Sequence, residues 1–318
     1  MTSTNGRPWN SNPETLATIR AYSNPSLIAD RVLPYAPPIR KREFTWNRYP
    51  TETLYTMPED GGRVGRRSAP RRVEFLKEPE TGTTEDYGLS ASISQEDIDA
   101  ASADGESDPV LEYSYALWEL VKNLREIRVA QTVFNPSTYA TDHVETPTGS
   151  DLWSDPASDP LGQFLDARSR MLLKPTKAVF GGAAWLAFST HPKIVKAVNG
   201  NSGDAGMATE EQAKRLLRVS EIAIGEAMVN TAKPRQPASM VDVWGASLLL
   251  IHQPISSAIN PKSPTPAYGC TVQTGDRFAM QRPDPDASMR GGVEVRVGET
   301  VKELVQAPEL GFLLHEVV

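Results

Sequence analysis

The stretch DPVLEYSYALWELVKNLREIRVAQTVF, residues 108–134, sets the architecture. Asp108 before Pro109 reads as a helix N-cap followed by proline at the first helical position, where its missing N–H costs nothing. Tyr113, Leu117, Leu120, Leu124, Ile127, Ala130 and Phe134 then recur every three or four residues, the period of one helix face. Asn135-Pro136 ends the run. The spacing predicts a single rod of roughly 39 Å. Its expected core face is Leu117, Leu120, Leu124 and Ile127. The opposite face, with Glu119, Lys122, Arg125, Glu126 and Arg128, is expected to be wet.

Upstream of this helix the chain is extended. Residues 1–39 are rich in Ser, Thr, Asn and Pro, and read as an arm, disordered when alone. Only Thr15 to Leu33 offers apolar side chains for packing. Residues 40–90 form a long two-stranded excursion. Phe44, Trp46 and Arg48, then Thr53, Tyr55 and Met57, alternate at strand spacing. Pro58 to Gly62 is a turn signal, and Arg71 to Leu76 resumes extended structure. A ribbon this poor in apolar residues is marginal alone in water, so it must lie on another surface.

Downstream, strands and helices alternate. Helices are expected over 159–173, 183–188, 192–198 and 209–217, the last with Thr209 and Gln212 as a capping box. Strands are expected over 178–181, 221–229, 243–252, 292–297 and 312–317. The class is α+β with mostly antiparallel pairing.

Charge divides sharply along the chain. Residues 1–75 hold 12 Lys/Arg against 7 Asp/Glu, whereas residues 76–112 hold one Lys against 11 Asp/Glu. The two segments are either solvated surfaces or partners that meet within or between subunits. The second reading selects Arg63, Arg66, Arg67, Arg71 and Arg72 on one side. On the other it selects Glu78, Glu80, Glu85, Asp86, Glu96, Asp97 and Asp99.

Composition excludes several function classes. The whole chain of 318 residues carries a net charge of −7, which argues against a dedicated nucleic-acid binder. The 26 prolines favour loops, arms and edge strands over a helical bundle. No apolar run approaches the ~18 residues of a membrane helix. A single cysteine, Cys270, permits no internal disulfide and no zinc cluster. His143, His191, His252 and His315 are scattered, and His191-Pro192 reads as a helix start. Gly181-Gly182 sits between strand and helix, but neither phosphate-loop pattern surrounds it. Asp284 and Asp286 lack the remainder of a calcium loop. No catalytic, cofactor or metal residues are therefore expected. An enzyme without a motif remains an alternative to a structural or assembly protein.

The order of these parts resembles that of the major capsid proteins of tailed bacteriophages, which share the Hong Kong 97 fold. The phrases Glu85 to Leu89, Ser94 to Ile98 and Leu124 to Ala130 resemble the approach to, and body of, that family's spine helix. Trp153 to Leu161, Lys174 to Gly181 and Trp185 to Pro192 resemble the start of its apical domain. The resemblance covers nearly the whole chain and rests on joint order, since none of these phrases is catalytic.

It implies an N-terminal arm over 1–39, an extended loop over 40–90, and a peripheral domain over 91–157 with the spine helix at 108–134. An apical domain follows over 158–285, and 286–318 returns to the peripheral domain. The function implied is self-assembly into an icosahedral shell around double-stranded DNA, without catalysis. Expected partners are further copies in hexamers and pentamers, a portal protein at one vertex, scaffolding and decoration proteins where used, and DNA held without sequence-specific contact. No membrane is involved, and the place is the virion capsid, assembled in the host bacterial cytoplasm. Some relatives crosslink a loop lysine to a neighbour. Here only Lys41 and Lys77 are available, near the loop base, so no crosslink is expected. No room is left for a cleavable scaffolding segment, so a scaffold would be a separate protein. Encapsulin-like shells, which package protein cargo, are the alternative within the same fold.

Overall fold

A computed structural model describes residues 9–11, 24, 26–48, 63–66, 68–69, 72, 78–105, 107–200, 203, 205–233, 236–254 and 267–318. In chain order its elements are strand β1 (Asn10–Ser11), helix α1 (Ala29–Val32), β2 (Glu43–Arg48), β3 (Glu78–Thr83) and β4 (Glu85–Ser94). Helices α2 (Gln95–Asp104) and α3 (Pro109–Val133) follow, then β5 (Val144–Glu145), α4 (Pro160–Arg170) and β6 (Lys177–Gly181). Next come α5 (Gly182–Thr190), α6 (Pro192–Asn199), α7 (Glu210–Leu217), β7 (Glu221–Gly225), β8 (Met228–Asn230) and β9 (Met240–Asp242). The chain closes with β10 (Leu248–Ile251), β11 (Gly269–Gln273), β12 (Phe278–Asp284), β13 (Gly292–Val305) and β14 (Gly311–Leu314).

Two five-stranded sheets carry the body. The central sheet runs β5-β14-β10-β6-β7. Its strands are almost wholly apolar because both faces are covered. Ala178, Phe180, Ile222, Leu248, Leu250, Phe312 and Leu314 point to one face, against Phe164, Trp185, Phe188 and Leu217 of the surrounding helices. The alternate residues Val179, Ala223, Leu249, Ile251 and Leu313 point to the other, against Ile28, Leu33, Val129, Val133 and Tyr268. Pairing is mostly antiparallel, as expected; among the described strands β6 with β7 and β14 with β5 pair in parallel. α5 and α6 supply the crossover from β6 in part, since a parallel pair needs one.

The second sheet is built on β13, fourteen residues long. β12 and then β11 pair along one of its edges, β4 along the other, and β1 adds to β12. β2 and β3 form a separate ribbon whose root packs Phe44 and Trp46 on Cys270, Val272 and Leu304. The sheets do not follow the expected boundary at residue 285. β11 and β12 precede it yet pair with β13, and β14 follows it yet lies in the central sheet.

α3 has the expected caps. Asp108 Oδ1 accepts from the Val110 N–H at 2.9 Å, and Pro109 opens the first turn. Its buried face is not the expected one. Leu117 is buried and Ile127 is half-buried, but Leu120 is 52% exposed and Leu124 45%. Arg125 and Glu126, expected to be wet, are 3% and 1% exposed. The physical reason is that α3 bridges both sheets. Its first half sets Leu117, Trp118 and Val121 on Ile93, Val295 and Val297. Its second half sets Val129, Ala130 and Val133 on the central sheet and the arm. The inward arc therefore turns along the helix, and it includes charged residues for which the fold supplies partners. α2, an acidic helix of ten residues, is expected from the sequence only as an acidic stretch; Ser94 caps it and Gly105, at φ 69°, closes it.

The expected strand over 243–252 is confined to β10. The capping box of Thr209 and Gln212 is formed. The alternation at Thr53, Tyr55 and Met57 lies outside the described residues.

Candidate assembly interface

The described part of the arm is docked on its own subunit. Trp9 lies over the guanidinium groups of Arg282 and Arg296, at 4.6 and 4.2 Å from its ring centre. Asn24 donates to Glu119 Oε1 at 2.7 Å. From Ile28 to Leu33 the arm enters the core: Ile28, Ala29, Val32 and Leu33 are buried.

An ion cluster under α3 fixes it there. The Arg125 guanidinium bonds Asp30 and donates to the Leu33 carbonyl (3.1 Å) and Thr271 Oγ1 (2.9 Å). It also stacks 4.1 Å from the Tyr35 ring centre. Burial presses on its charge and pulls its pKa down, which Glu299 and Glu303 oppose. Tyr35 in turn donates to Glu299 Oε2 at 2.7 Å, and burial raises its phenol far above the ordinary value. Arg128 grips Glu303 Oε1 at 2.9 and 3.1 Å and covers the Tyr87 ring at 3.6 Å.

Glu126 completes the seam. Its carboxylate accepts from the Ala29 N–H at 2.6 Å and from Trp244 Nε1 at 2.8 Å. Burial pushes this carboxyl above its ordinary value while those two bonds pull it back. A further tether lies at the edge of the central sheet. Glu221 accepts from Arg31 at 2.7 Å and pairs with Lys177 at 2.9 Å. Burial alone would raise Glu221; these two cations carry it below the usual carboxylate value instead. Arg125 and Glu126 are buried charges, so removing the groups that pair with them leaves a charge in low dielectric, whereas Asp30 and the Arg31–Glu221 pair are partly exposed and weaker.

The sequence selected the loop arginines and the acidic stretch as contact residues. Arg63, Arg66 and Arg72 are exposed, whereas Arg67 and Arg71 lie outside the described residues. The acidic set does not form one surface. Glu78 and Glu80 are exposed on the ribbon strand β3, Glu85 and Asp86 open β4, and Glu96, Asp97 and Asp99 lie on α2. Asp86 is already engaged inside the subunit by Arg42 and by Thr300 Oγ1 (2.7 Å), and the Thr300 bond leads in holding its carboxyl below the ordinary range. Asp97 accepts from the Ser94 hydroxyl, Asp99 from Gln95 and Glu85 from Tyr87. Beside the ribbon root an open groove of about 860 Å³ is lined by Ile39, Arg40, Lys41, Phe44 and Gly82 among others.

The remaining chemical candidates have structural roles. Burial pushes the Cys270 thiol up to about 12, leaving no thiolate at neutral pH. His191 caps α6, its ring accepting from the Lys193 N–H at 3.3 Å. A Cβ on Gly181 would stand 2.1 Å from the Gly245 carbonyl oxygen, so close backbone approach requires glycine there. Asp284 accepts from Ser92 and from the Asp286 N–H. Among the described residues no three His, Cys, Asp or Glu stand together as metal ligands, and no helix is long and apolar enough to cross a membrane. The ion cluster was missed because its charged members have ordinary spacing and its neutral members, Tyr35, Thr271 and Trp244, lie far away in the chain. The one sequence hint was the placement of Arg125 and Glu126 between apolar Val121 and Val129.

An arm laid on the body, a two-stranded ribbon rooted on it, a long helix bridging two sheets and a helix-covered central sheet define a shell subunit of the Hong Kong 97 type. Solved structures agree. A phage-related protein from Bordetella bronchiseptica RB50 superposes with a TM-score of 0.76 at 22% identity, over 96% of this chain and 97% of that one. A putative capsid protein of an Escherichia coli CFT073 prophage superposes with a TM-score of 0.55 at 8% identity, over 96% and 99%. The major capsid protein of Pseudomonas phage JBD67 is 40% identical over 98% of both chains. That of Burkholderia phage BcepMu is 27% identical over 49% of this chain and 50% of its own. No protein-family model matches. The chain belongs to the major capsid proteins of phages, structural proteins that self-assemble into the virion shell.

Proposed function

We propose that the shell encloses double-stranded DNA, that the subunit performs no catalysis, and that assembly takes place in the host cytoplasm with a portal protein at one vertex. In this reading residues 1–39 are the arm, and the extended loop expected over 40–90 ends at 84, because β4 pairs with β13 from Glu85 onward; the β13 sheet with α2 and α3 is the peripheral part, and the helix-covered central sheet the apical part. Each subunit lays its loop on a neighbour, so that Arg63, Arg66, Arg67, Arg71 and Arg72 meet carboxylates there. Asp97 and Asp99, exposed on α2, receive them, with Glu96, which also pairs with Arg290 at 3.8 Å inside its subunit, and Glu78 and Glu80 on the neighbour's own ribbon.

One observation carries this: residues 63–72 hold five arginines and no acidic residue, the described ones among them are exposed, and apart from Glu78 and Glu80 on the ribbon itself the acidic residues lie on β4 and α2 of the body. Arginine suits such contacts because its planar fork can grip a carboxylate with two bonds. Each exposed pair contributes only about 0–1 kcal/mol, so repetition around the shell must supply the rest. The net charge of −7 keeps the inner wall from holding packaged duplex tightly.

Electron microscopy of the purified protein tests the shell reading. Wild type should give closed megadalton icosahedra that weaken at 1 M salt, where the screening length falls to ~3 Å. Replacing Arg66, Arg67, Arg71 and Arg72 together by Glu should leave soluble, folded subunits without shells. Normal shells from that variant would refute the loop contact.

A further inference from the structure

His191 stands at the corner where α5 ends and α6 begins, and it is buried, at 2% exposed. Both of its ring nitrogens are engaged. Nδ1 lies 3.3 Å from the Lys193 backbone nitrogen; an N–H can only donate, so Nδ1 is the acceptor. Nε2 lies 3.2 Å from the Asp155 carbonyl oxygen; a carbonyl can only accept, so Nε2 carries the proton. The same Nε2–H faces Ser158 Oγ at 3.2 Å, in a residue only 3% exposed. Two independent contacts therefore fix one tautomer, and the first of them requires a neutral ring.

This ring joins two pieces of the helical layer. Pro192 has no N–H, so Lys193 presents the first backbone donor of α6, and His191 satisfies it. On its other side the ring holds the segment 153–158. Trp153 of that segment packs on Phe180 and Phe188 and donates its backbone N–H to the Val317 carbonyl at 2.7 Å. An open groove of about 420 Å³, lined by Trp153, Pro156, Leu186 and His191 among others, runs beside the corner. The charged groups on the surrounding elements have other partners. Asp155 accepts from the Ala157 N–H at 2.8 Å and Asp159 from the Gly162 N–H at 3.2 Å. On α4, Asp166 pairs with Arg170, and Arg168 donates to the Leu217 carbonyl. On α7, Glu210 and Glu211 pair with Lys214. Among the described residues none of these carboxylates bonds the ring. On α6 itself Lys196 is exposed, and the Lys193 ammonium, bonded to the Ala157 carbonyl at 2.6 Å, adds positive charge to the corner.

We propose that His191 makes this corner an acid-labile joint, closed while the ring is neutral and opened locally once the ring takes a proton. A protonated imidazole carries two N–H groups. Nε2–H would keep its acceptors, but Nδ1–H would point at the Lys193 N–H, donor against donor. A positive charge would also stand at the positive end of α6. Opening the corner turns Nδ1 to water, frees the first turn of α6 and loosens residues 153–158. The central sheet and the contacts of α3 with the arm stay as they are. The closed corner accepts only the neutral ring, so the open corner takes up the proton and opening grows as pH falls. Histidine is the side chain that changes charge between pH 5 and 8, which sets the range of the switch. A ring that takes its proton only in the open corner raises the open population roughly thirtyfold at pH 5, with ~6.5 as the ordinary imidazole value. The joint belongs to the single subunit, so it stands or falls apart from the shell reading.

Nitrogen NMR of the histidine-labelled full-length subunit at pH 8 reads the tautomer directly. The His191 signal is the one that persists in each of the variants His143→Gln, His252→Gln and His315→Gln, and it should show the proton on Nε2. Hydrogen exchange read by mass spectrometry, corrected for the intrinsic rate at each pH, then follows α6. Its protection in wild type should fall at least tenfold between pH 7.5 and pH 5. In His191→Asn, whose amide oxygen caps a helix without titrating, protection should change less than threefold over the same range. Ser158→Ala removes one acceptor of Nε2–H and leaves Nδ1 alone, so it should keep the full fall; it replaces His191→Asn should that variant melt early. A proton on Nδ1 at pH 8, wild-type protection that does not respond to acid, or an equal fall in wild type and His191→Asn overturns the proposal. So does a flat profile in Ser158→Ala, which would put the proton-sensitive contact on Nε2.

Discussion

Replacing Glu126 by Ala leaves two buried donors, the Ala29 N–H and Trp244 Nε1–H, without the carboxylate that now accepts from both. An unsatisfied buried donor costs about 1–3 kcal/mol, so the pair costs about 2–6 kcal/mol. Part is offset, because the variant no longer desolvates a carboxyl that burial already pushes upward. The lower half of the range, about 2–4 kcal/mol, is a large share of the ~5–15 kcal/mol that holds a domain together. Glu126→Gln keeps one acceptor oxygen and turns an N–H group toward the second donor, so it should cost about 1–3 kcal/mol. The assay is thermal unfolding of purified subunits at pH 7, followed by tryptophan fluorescence. At ~2–4 °C per kcal/mol for larger domains, the Ala variant should melt roughly 4–16 °C early, with Gln between it and wild type. The same variant should lose protection of the Ala29 amide in hydrogen exchange. Melting midpoints equal to wild type in both variants would refute the argument that this carboxylate fastens the arm to α3 and to Trp244.

Leu117→Ala should cost about 2–5 kcal/mol as a core truncation, whereas Leu120→Ala should stay within about 0.5 kcal/mol as a surface change; chemical denaturation of the two decides which arc of α3 is inside. Glu221 is held below its ordinary value by Lys177 and Arg31, so its contribution is present above the unfolded-state value and is lost as pH falls through the lowered one. The difference in melting temperature between wild type and Glu221→Gln should therefore be constant near neutrality and shrink toward pH 3. Deleting residues 2–23 should leave a folded body, because it keeps Ile28, Ala29, Val32 and Leu33, the described arm residues that are buried in the core. Deleting 2–30 should not, because it removes Asp30 and bares Arg125; limited proteolysis distinguishes the two.

The sequence by itself determined the elements whose signals are local. Asp108-Pro109 and Asn135-Pro136 bound α3 because caps and prolines act on neighbouring backbone groups. The capping box at Thr209 and the apolar runs of β6, β10 and β14 are of the same kind. The charge division between residues 1–75 and 76–112 is also legible without a structure, since it is only composition. The tertiary structure alone decided which arc of α3 faces the core. Periodicity places Tyr113, Leu120 and Leu124 on one line but says nothing about what approaches it, and burial depends on that. Arg125 and Glu126 are inside because Asp30 lies 95 residues away in the chain, Trp244 lies 118 residues away, and both converge on the helix. A charge can be buried only where folding delivers its partner, and no local window of sequence contains both.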